Sequence, residues 1–241
     1  MNLFLQSVPL WLLALLLWVL LRNRIYQVCP WFFAYVTFGV AAGVARFVAH
    51  THPKLYYATY WTTEAGYDVF GILVMYEVLQ TVAGNLTSAR RARVIFSCIL
   101  FSALALSLAR THAVPAHVSG IPSYIVIGEI AVRFVQVFVF AALVTLVPVL
   151  GLRWRQYSFG IAAGFGLYAT VALLITTKLS DFGTRFKFLW GVVSLMAYSV
   201  AVLIWIWFFS VPQKVDTVVS MESAPSPGEL ERYKQALRRM R

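Results

Sequence analysis

Seven apolar stretches, near residues 3–21, 30–50, 55–80, 94–109, 122–149, 157–178 and 188–211, follow one another along this chain with only short connections between them. Each approaches the roughly 20 residues that a helix needs to cross about 30 Å of hydrocarbon, so the pattern predicts an all-α, polytopic bundle of seven transmembrane helices. The connections include RNRIYQVC, THPK, a basic loop with Gly84, Asn85 and Ser88, a loop with Pro115, Gly120 and Pro122, then GLRWRQ and SDFGTRFK. They leave no room for a separate soluble domain. With 61% hydrophobic and 12% charged residues and a mean hydropathy of +0.77, the chain is too apolar for a soluble domain of its size. MNLFLQSVPLWLLALLLWVLL lacks a basic start and a small-residue cleavage pattern, and is expected to be a first mature helix rather than a signal peptide.

The net charge of +11 would suggest nucleic acid in a soluble protein. Here its distribution sets topology instead, and no nucleic-acid partner is expected. Arg22 and Arg24, then Arg90, Arg91 and Arg93, then Arg153 and Arg155, and finally the C-terminal tail all fall on one face of the bundle. That face carries 13 Lys and Arg, against five on the other (Lys54, Arg110, Lys178, Arg185, Lys187) and two within the spans, Arg46 and Arg133. The basic-rich side is expected to be cytoplasmic, with the N-terminus outside, the C-terminus inside, and the protein multi-pass in the inner (plasma) membrane. Asn85-Leu-Thr87 matches a glycosylation sequon but falls in a cytoplasmic loop under this topology, so it is read as chance. Cys29 and Cys98 sit at a helix start and inside a helix, and imply no disulfide framework.

The third stretch, LYYATYWTTEAGYDVFGILVMYEVLQ, is apolar yet carries Glu64 and Asp68 within its length. At about 100° per residue, Tyr57, Trp61, Glu64 and Asp68 form one stripe of a helix. A carboxylate facing lipid near the bilayer centre costs several kcal/mol, so the stripe should face protein or a wet cavity. Arg46 and His50 share a face of the second helix. Glu129, Arg133 and Gln136 align on the fifth, and Lys187, Trp190, Ser194 and Tyr198 on the seventh. Glu64, Glu129 and Arg133 all lie roughly 10 to 16 Å below the outer helix ends. The expected site is therefore a polar cavity in the outer half of the membrane, lined by Arg46, Tyr57, Trp61, Glu64, Asp68, Glu129, Arg133, Gln136 and Tyr198, which binds a small polar or zwitterionic ligand. Ion pairing that only fixes helix register is the competing reading. In either case Glu64 and Asp68 should each be paired with Arg46 or Arg133. Glu77, near the inner end of its helix, is expected to meet the basic loop containing Arg90 to Arg93.

All four histidines, His50, His52, His112 and His117, fall at the outer surface in two pairs and are the candidates for a metal. Loop spacings of His-x-His and His-x4-His do not specify one, and no metal or cofactor is assigned. The chain contains no Gly-x-Ser-x-Gly elbow, no Gly-x4-Gly-Lys phosphate loop and no Cys-x-x-Cys pair, and is read as not an enzyme.

Residues 1–211 form the expected transmembrane domain, 212–228 a flexible linker, and 229–241 a tail helix. Ser226-Pro-Gly-Glu229 is a capping box with Pro at the first helical position, and Leu230, Tyr233, Leu237 and Met240 recur on one face among Arg and Lys. Such a basic amphipathic tail suits the anionic inner leaflet or a cytoplasmic or membrane protein partner.

Seven helices with the N-terminus outside resemble the arrangement of microbial rhodopsins and G-protein-coupled receptors, at the level of topology. Their motifs are absent: Phe188 to Val211 contains no lysine for a Schiff base, and there is no Asp-Arg-Tyr at the end of the third stretch and no Asn-Pro-x-x-Tyr in the seventh. The only Pro-Gln, Pro212-Gln213, follows the last helix, unlike the motif of Pro-Gln sugar transporters. CPWFFAYVTFGV and YYATYWTTEAGYDVFGILVMYEV are similar to stretches in bacterial seven-helix membrane proteins of unassigned function. The expected role is that of a receptor-like or sensory protein. The alternatives are a transporter or proton- or cation-conducting protein, and a structural subunit of a larger membrane complex.

Overall fold

Long apolar segments bounded by Pro, Gly and basic residues become helices in the computed structural model, which describes residues 3–83, 94, 97–99, 101–103, 105, 106, 109, 121–149, 156–182 and 187–211. The helices are α1 (Leu3–Arg22), α2 (Pro30–Ala49), α3 (Pro53–Ala83), α4 (Ile121–Val149), α5 (Gln156–Phe182) and α6 (Lys187–Ser210), with a 3-10 turn at Ile25–Gln27. No strand occurs among the described residues. The described residues within the fourth apolar stretch are helical too, and its Ala103 is buried. The basic loop of Arg90 to Arg93, the sequon, Arg153 and Arg155, His112 and His117, the linker and the tail lie outside the described residues, as do the side chains of Lys187 and Trp190.

Among the described residues, four helical segments are long and apolar enough to cross a membrane: Pro30–Ala49, Ser123–Thr145, Tyr157–Ile175 and Gly191–Ser210. Trp11, Phe47, Tyr124 and Trp207 are each at least 70% exposed, a surface that suits lipid and not water.

Each helix packs on the next, α1 on α2, α2 on α3, α3 on α4, α4 on α5 and α5 on α6, and α6 returns to α1, which closes a ring. Small residues set the spacing along α5. A Cβ on Gly164 would overlap the Trp205 indole nitrogen of α6, and one on Gly166 would lie 2.6 Å from the Phe140 ring of α4, so α5 is thin on both sides. Trp205 fills this space completely and donates its indole N–H to the Ile161 carbonyl at 3.3 Å.

At the end of the ring that holds the α1–α2 connection, the interior is a cluster of aromatic rings. Phe32 stacks on Phe209 at 5.2 Å and meets Trp205 edge-on at 5.3 Å, while Phe165 lies 4.8 Å from Trp205 and 5.0 Å from Tyr35. The chain reaches this end through a left-handed Arg24, with φ 53°, and Asn23 donates its side-chain N–H to the Phe209 carbonyl at 2.7 Å. This part-buried bond ties the turn after α1 to the last turn of α6.

At the start of α2 a carboxylate from another helix supplies the cap. Cys29 provides no side-chain cap and Pro30 has no N–H, so the next donors, at Trp31 and Phe32, need an acceptor from elsewhere. Glu77 of α3 supplies it, accepting the Trp31 N–H at 3.1 Å and the Phe32 N–H at 3.0 Å while only 7% exposed. The carboxylate caps a neighbouring helix, where two amide donors at the positive end of a helix dipole satisfy it within the bundle, while the basic loop it was expected to meet lies outside the described residues.

Candidate functional site

Near the opposite end, where α2 turns into α3, the ring of helices encloses a cavity of about 1090 Å³. All six helices contribute to its wall, from Leu10 and Leu13 of α1 to Ser194 and Tyr198 of α6. It extends from a rim at Phe47, His50, Thr51 and Tyr56 to a base at Tyr35 and Phe165, where the aromatic cluster begins. Glycines leave the space: Gly39 and Gly43 of α2 face the cavity, and a Cβ on Gly43 would meet Leu10 at 2.7 Å.

Two ion pairs stand in its wall. Arg46, in the last turn of α2, reaches across to α3, where its guanidinium donates to Glu64 at 3.0 Å and, through Nε, to the Thr63 hydroxyl at 2.7 Å. The same group lies 4.8 Å from the Tyr60 ring centre and 5.7 Å from that of Tyr67, so aromatic faces complete its surround. On α4, Arg133 pairs with Glu129 one turn away. It also donates to the Tyr168 hydroxyl of α5 at 3.2 Å and lies 4.3 Å from that ring's centre. Tyr168 in turn meets Tyr198 edge-on at 5.3 Å. Glu64, Asp68, Glu129 and Arg133 are close enough for their charges to act on one another.

Asp68 departs from the expected pairing. No hydrogen bond or ion pair joins it to any described residue, although it lines the cavity opposite Gly128 of α4. The reason is competition for Arg133: Glu129 lies one helical turn from it and Tyr168 supplies both a hydroxyl and a ring face, so the guanidinium turns along α4 and toward α5. A second acceptor is also unpartnered. Gln136 is 5% exposed, its Oε1 has no hydrogen-bond partner among the described residues, and it lines the same cavity.

Of the residues expected from the sequence, Arg46, Glu64, Asp68, Glu129, Arg133, Gln136 and Tyr198 line the cavity together. Tyr57 and Trp61 do not. The buried face of α3 runs through Thr63, Gly71, Val74 and Val78, and the stripe of aromatics and carboxylates is rotated from it by roughly 90°. Deep in the ring, that flank still meets the cavity at Glu64 and Asp68. Near the rim the flank faces outward, so Tyr57 is 58% exposed and its ring packs on Trp61 at 6.1 Å. The sequence reading missed Tyr35, Thr63, Tyr67 and Tyr168. A tyrosine in mid-span rather than at a membrane interface is the signal that points to three of them.

His50 stands at the rim with its ring 6.2 Å from Tyr56, and His52 is exposed. Among the described residues, no three His, Cys, Asp or Glu side chains gather as a metal site would require.

Comparison of the chain with protein-family models, curated proteins and solved structures gives no match.

The Arg46–Glu64 pair retains 23% and 19% side-chain exposure, toward the cavity. Water there can solvate what a mutation strands, so Glu64→Gln should lower unfolding stability by only about 1 kcal/mol. Thermal unfolding in detergent, followed by circular dichroism, checks this. A loss in the range of about 3–5 kcal/mol would mark a dry structural lock instead.

Proposed function

We propose that this chain is a receptor-like or sensory membrane protein of seven transmembrane helices that binds a small polar or zwitterionic ligand in the cavity between them. The observation that carries this reading is the combination of two ion pairs, an unpaired Asp68 and an unpartnered Gln136 oxygen around one cavity of about 1090 Å³. Ionisable groups in such surroundings are costly, and helix register alone does not require this many. The aromatic cluster of Phe32, Phe165 and Trp205 beneath the cavity supports binding over passage, since among the described residues the cavity lining ends at Tyr35 and Phe165, which belong to that cluster. That weighs against the transporter or proton- or cation-conducting alternative.

The basic residues favour an outer cavity, with the N-terminus outside and the C-terminus cytoplasmic in the plasma membrane. The C-terminal tail would then meet anionic lipid or a cytoplasmic or membrane partner. A reporter fused after Pro212 should read out on the cytoplasmic side, and an outside readout would overturn this topology.

The binding reading is tested by melting the wild type, Glu64→Gln and Arg133→Gln in detergent across amino acids, amines and metal ions. A ligand at about 100 times its Kd should stabilise the wild type by about 2.7 kcal/mol, and the variants less. Large losses of stability in the variants, with no ligand-dependent shift in the wild type, would leave a structural subunit as the reading.

A further inference from the structure

The charges around the cavity do not balance. Arg46 and Arg133 are each already engaged by one carboxylate, Glu64 and Glu129, which leaves Asp68 as the carboxylate without a cation among the described residues. Gln136 lines the cavity nearby with its amide nitrogen on the Gly71 side, while its Oε1 is enclosed and has no hydrogen-bond partner among the described residues. Asp68 faces Gly128, and the Gln136 amide nitrogen reaches toward Gly71, three residues along α3 from Asp68, so both side chains lie along the α3–α4 seam. Those two positions on α3 are about 4.5 Å apart in helix rise. The glycines are what open this seam: a Cβ on Gly71 would stand 3.3 Å from the Gln136 amide nitrogen. The remaining wall near this layer is aromatic, with Tyr35, Tyr67, Phe165, Tyr168 and Tyr198 lining it.

From this arrangement we infer that the ligand is an organic monocation, an amine whose ammonium group seats on Asp68 and whose body packs among the tyrosine and phenylalanine rings. This inference rests on the ligand-binding reading above and names the class of ligand. An ammonium group provides the missing positive charge and only donors, which matches a carboxylate that has no donor among the described residues. Aromatic faces stabilise a partly desolvated cation and an apolar body alike. A carboxylate ligand would instead add a fourth negative charge to a wall that holds three carboxylates and two arginines among the described residues. A bare metal ion would leave a cavity of about 1090 Å³ largely unfilled and finds no third ligand among the described residues.

The test uses the full chain in detergent with Ser194→Cys as a reporter in the cavity wall and Cys98→Ser to lower background. Labelling rates are compared for a cationic and an anionic methanethiosulfonate of similar size. The cationic reagent should react about tenfold faster after correction for intrinsic reactivity, and Asp68→Asn should abolish most of that preference. 2-Phenylethylamine should protect the introduced thiol, while 2-phenylethanol, of the same shape without the charge, should not. Equal rates, an anionic preference, or equal protection by the alcohol overturns the cationic assignment and leaves a binding cavity of another class. Absence of protection by the amine also overturns it. Failure of both reagents to reach the introduced thiol would overturn the cavity reading itself.

Discussion

Glu77→Ala should lower the unfolding stability of this protein by about 3 kcal/mol, since two charge-assisted hydrogen bonds and a favourable helix-dipole interaction are lost together. The two N–H groups that it leaves, at Trp31 and Phe32, begin a helix whose own residues Cys29 and Pro30 supply no cap. Phe32 is completely buried, so water does not reach its amide readily. Glu77→Gln keeps an acceptor oxygen but not the charge, and should cost about half as much. Fraying of the first turn of α2 should also expose Cys29, which is 2% exposed in the intact fold. Unfolding in mixed micelles gives the first quantity, and the rate of Cys29 modification by a thiol reagent gives the second. An alanine variant within about 0.5 kcal/mol of wild type would show that the cross-helix cap contributes little.

The second large effect is expected at Gly164. Valine there should cost about 3 kcal/mol, because its Cβ alone would overlap the Trp205 nitrogen and stand 2.7 Å from the adjoining ring carbon. Trp205 cannot retreat cheaply: it is fully buried, touches Phe32, Tyr35 and Phe165, and is held by Ile161. Displacing it would disturb the base of the cavity, so ligand-dependent stabilisation should fall with the melting temperature. Gly191 on α6 is the control. No described atom lies within 4 Å of a Cβ built there, so Gly191→Ala should gain up to about 1 kcal/mol from helix propensity. If both substitutions cost the same, close approach of α5 and α6 is not what Gly164 provides.

Helix type and extent were legible in the sequence because they depend on local properties. Apolar length and flanking Pro, Gly and basic residues predict 30–50, 122–149 and 188–211, and the structure has Pro30–Ala49, Ile121–Val149 and Lys187–Ser210. Periodicity likewise placed Glu129, Arg133 and Gln136 on one face of one helix, and depth placed Arg46 and Glu64 within reach of each other.

What a sequence leaves undetermined is how far each helix is rotated against its neighbours. A rotation of roughly 90° separates the acidic stripe of α3 from its buried face, and that angle decides that Asp68 meets the cavity while Tyr57 packs on Trp61 at the rim. Partner choice is the second such property. Glu77 could be given a partner only once α2 and α3 were side by side, because its donors are 45 and 46 residues away and are backbone groups, identical in every residue but proline. The same holds for Asp68, whose charge was visible in the sequence. That it is left without a cation among the described residues follows from the local geometry of α4 and α5, which gives Arg133 nearer partners in Glu129 and Tyr168.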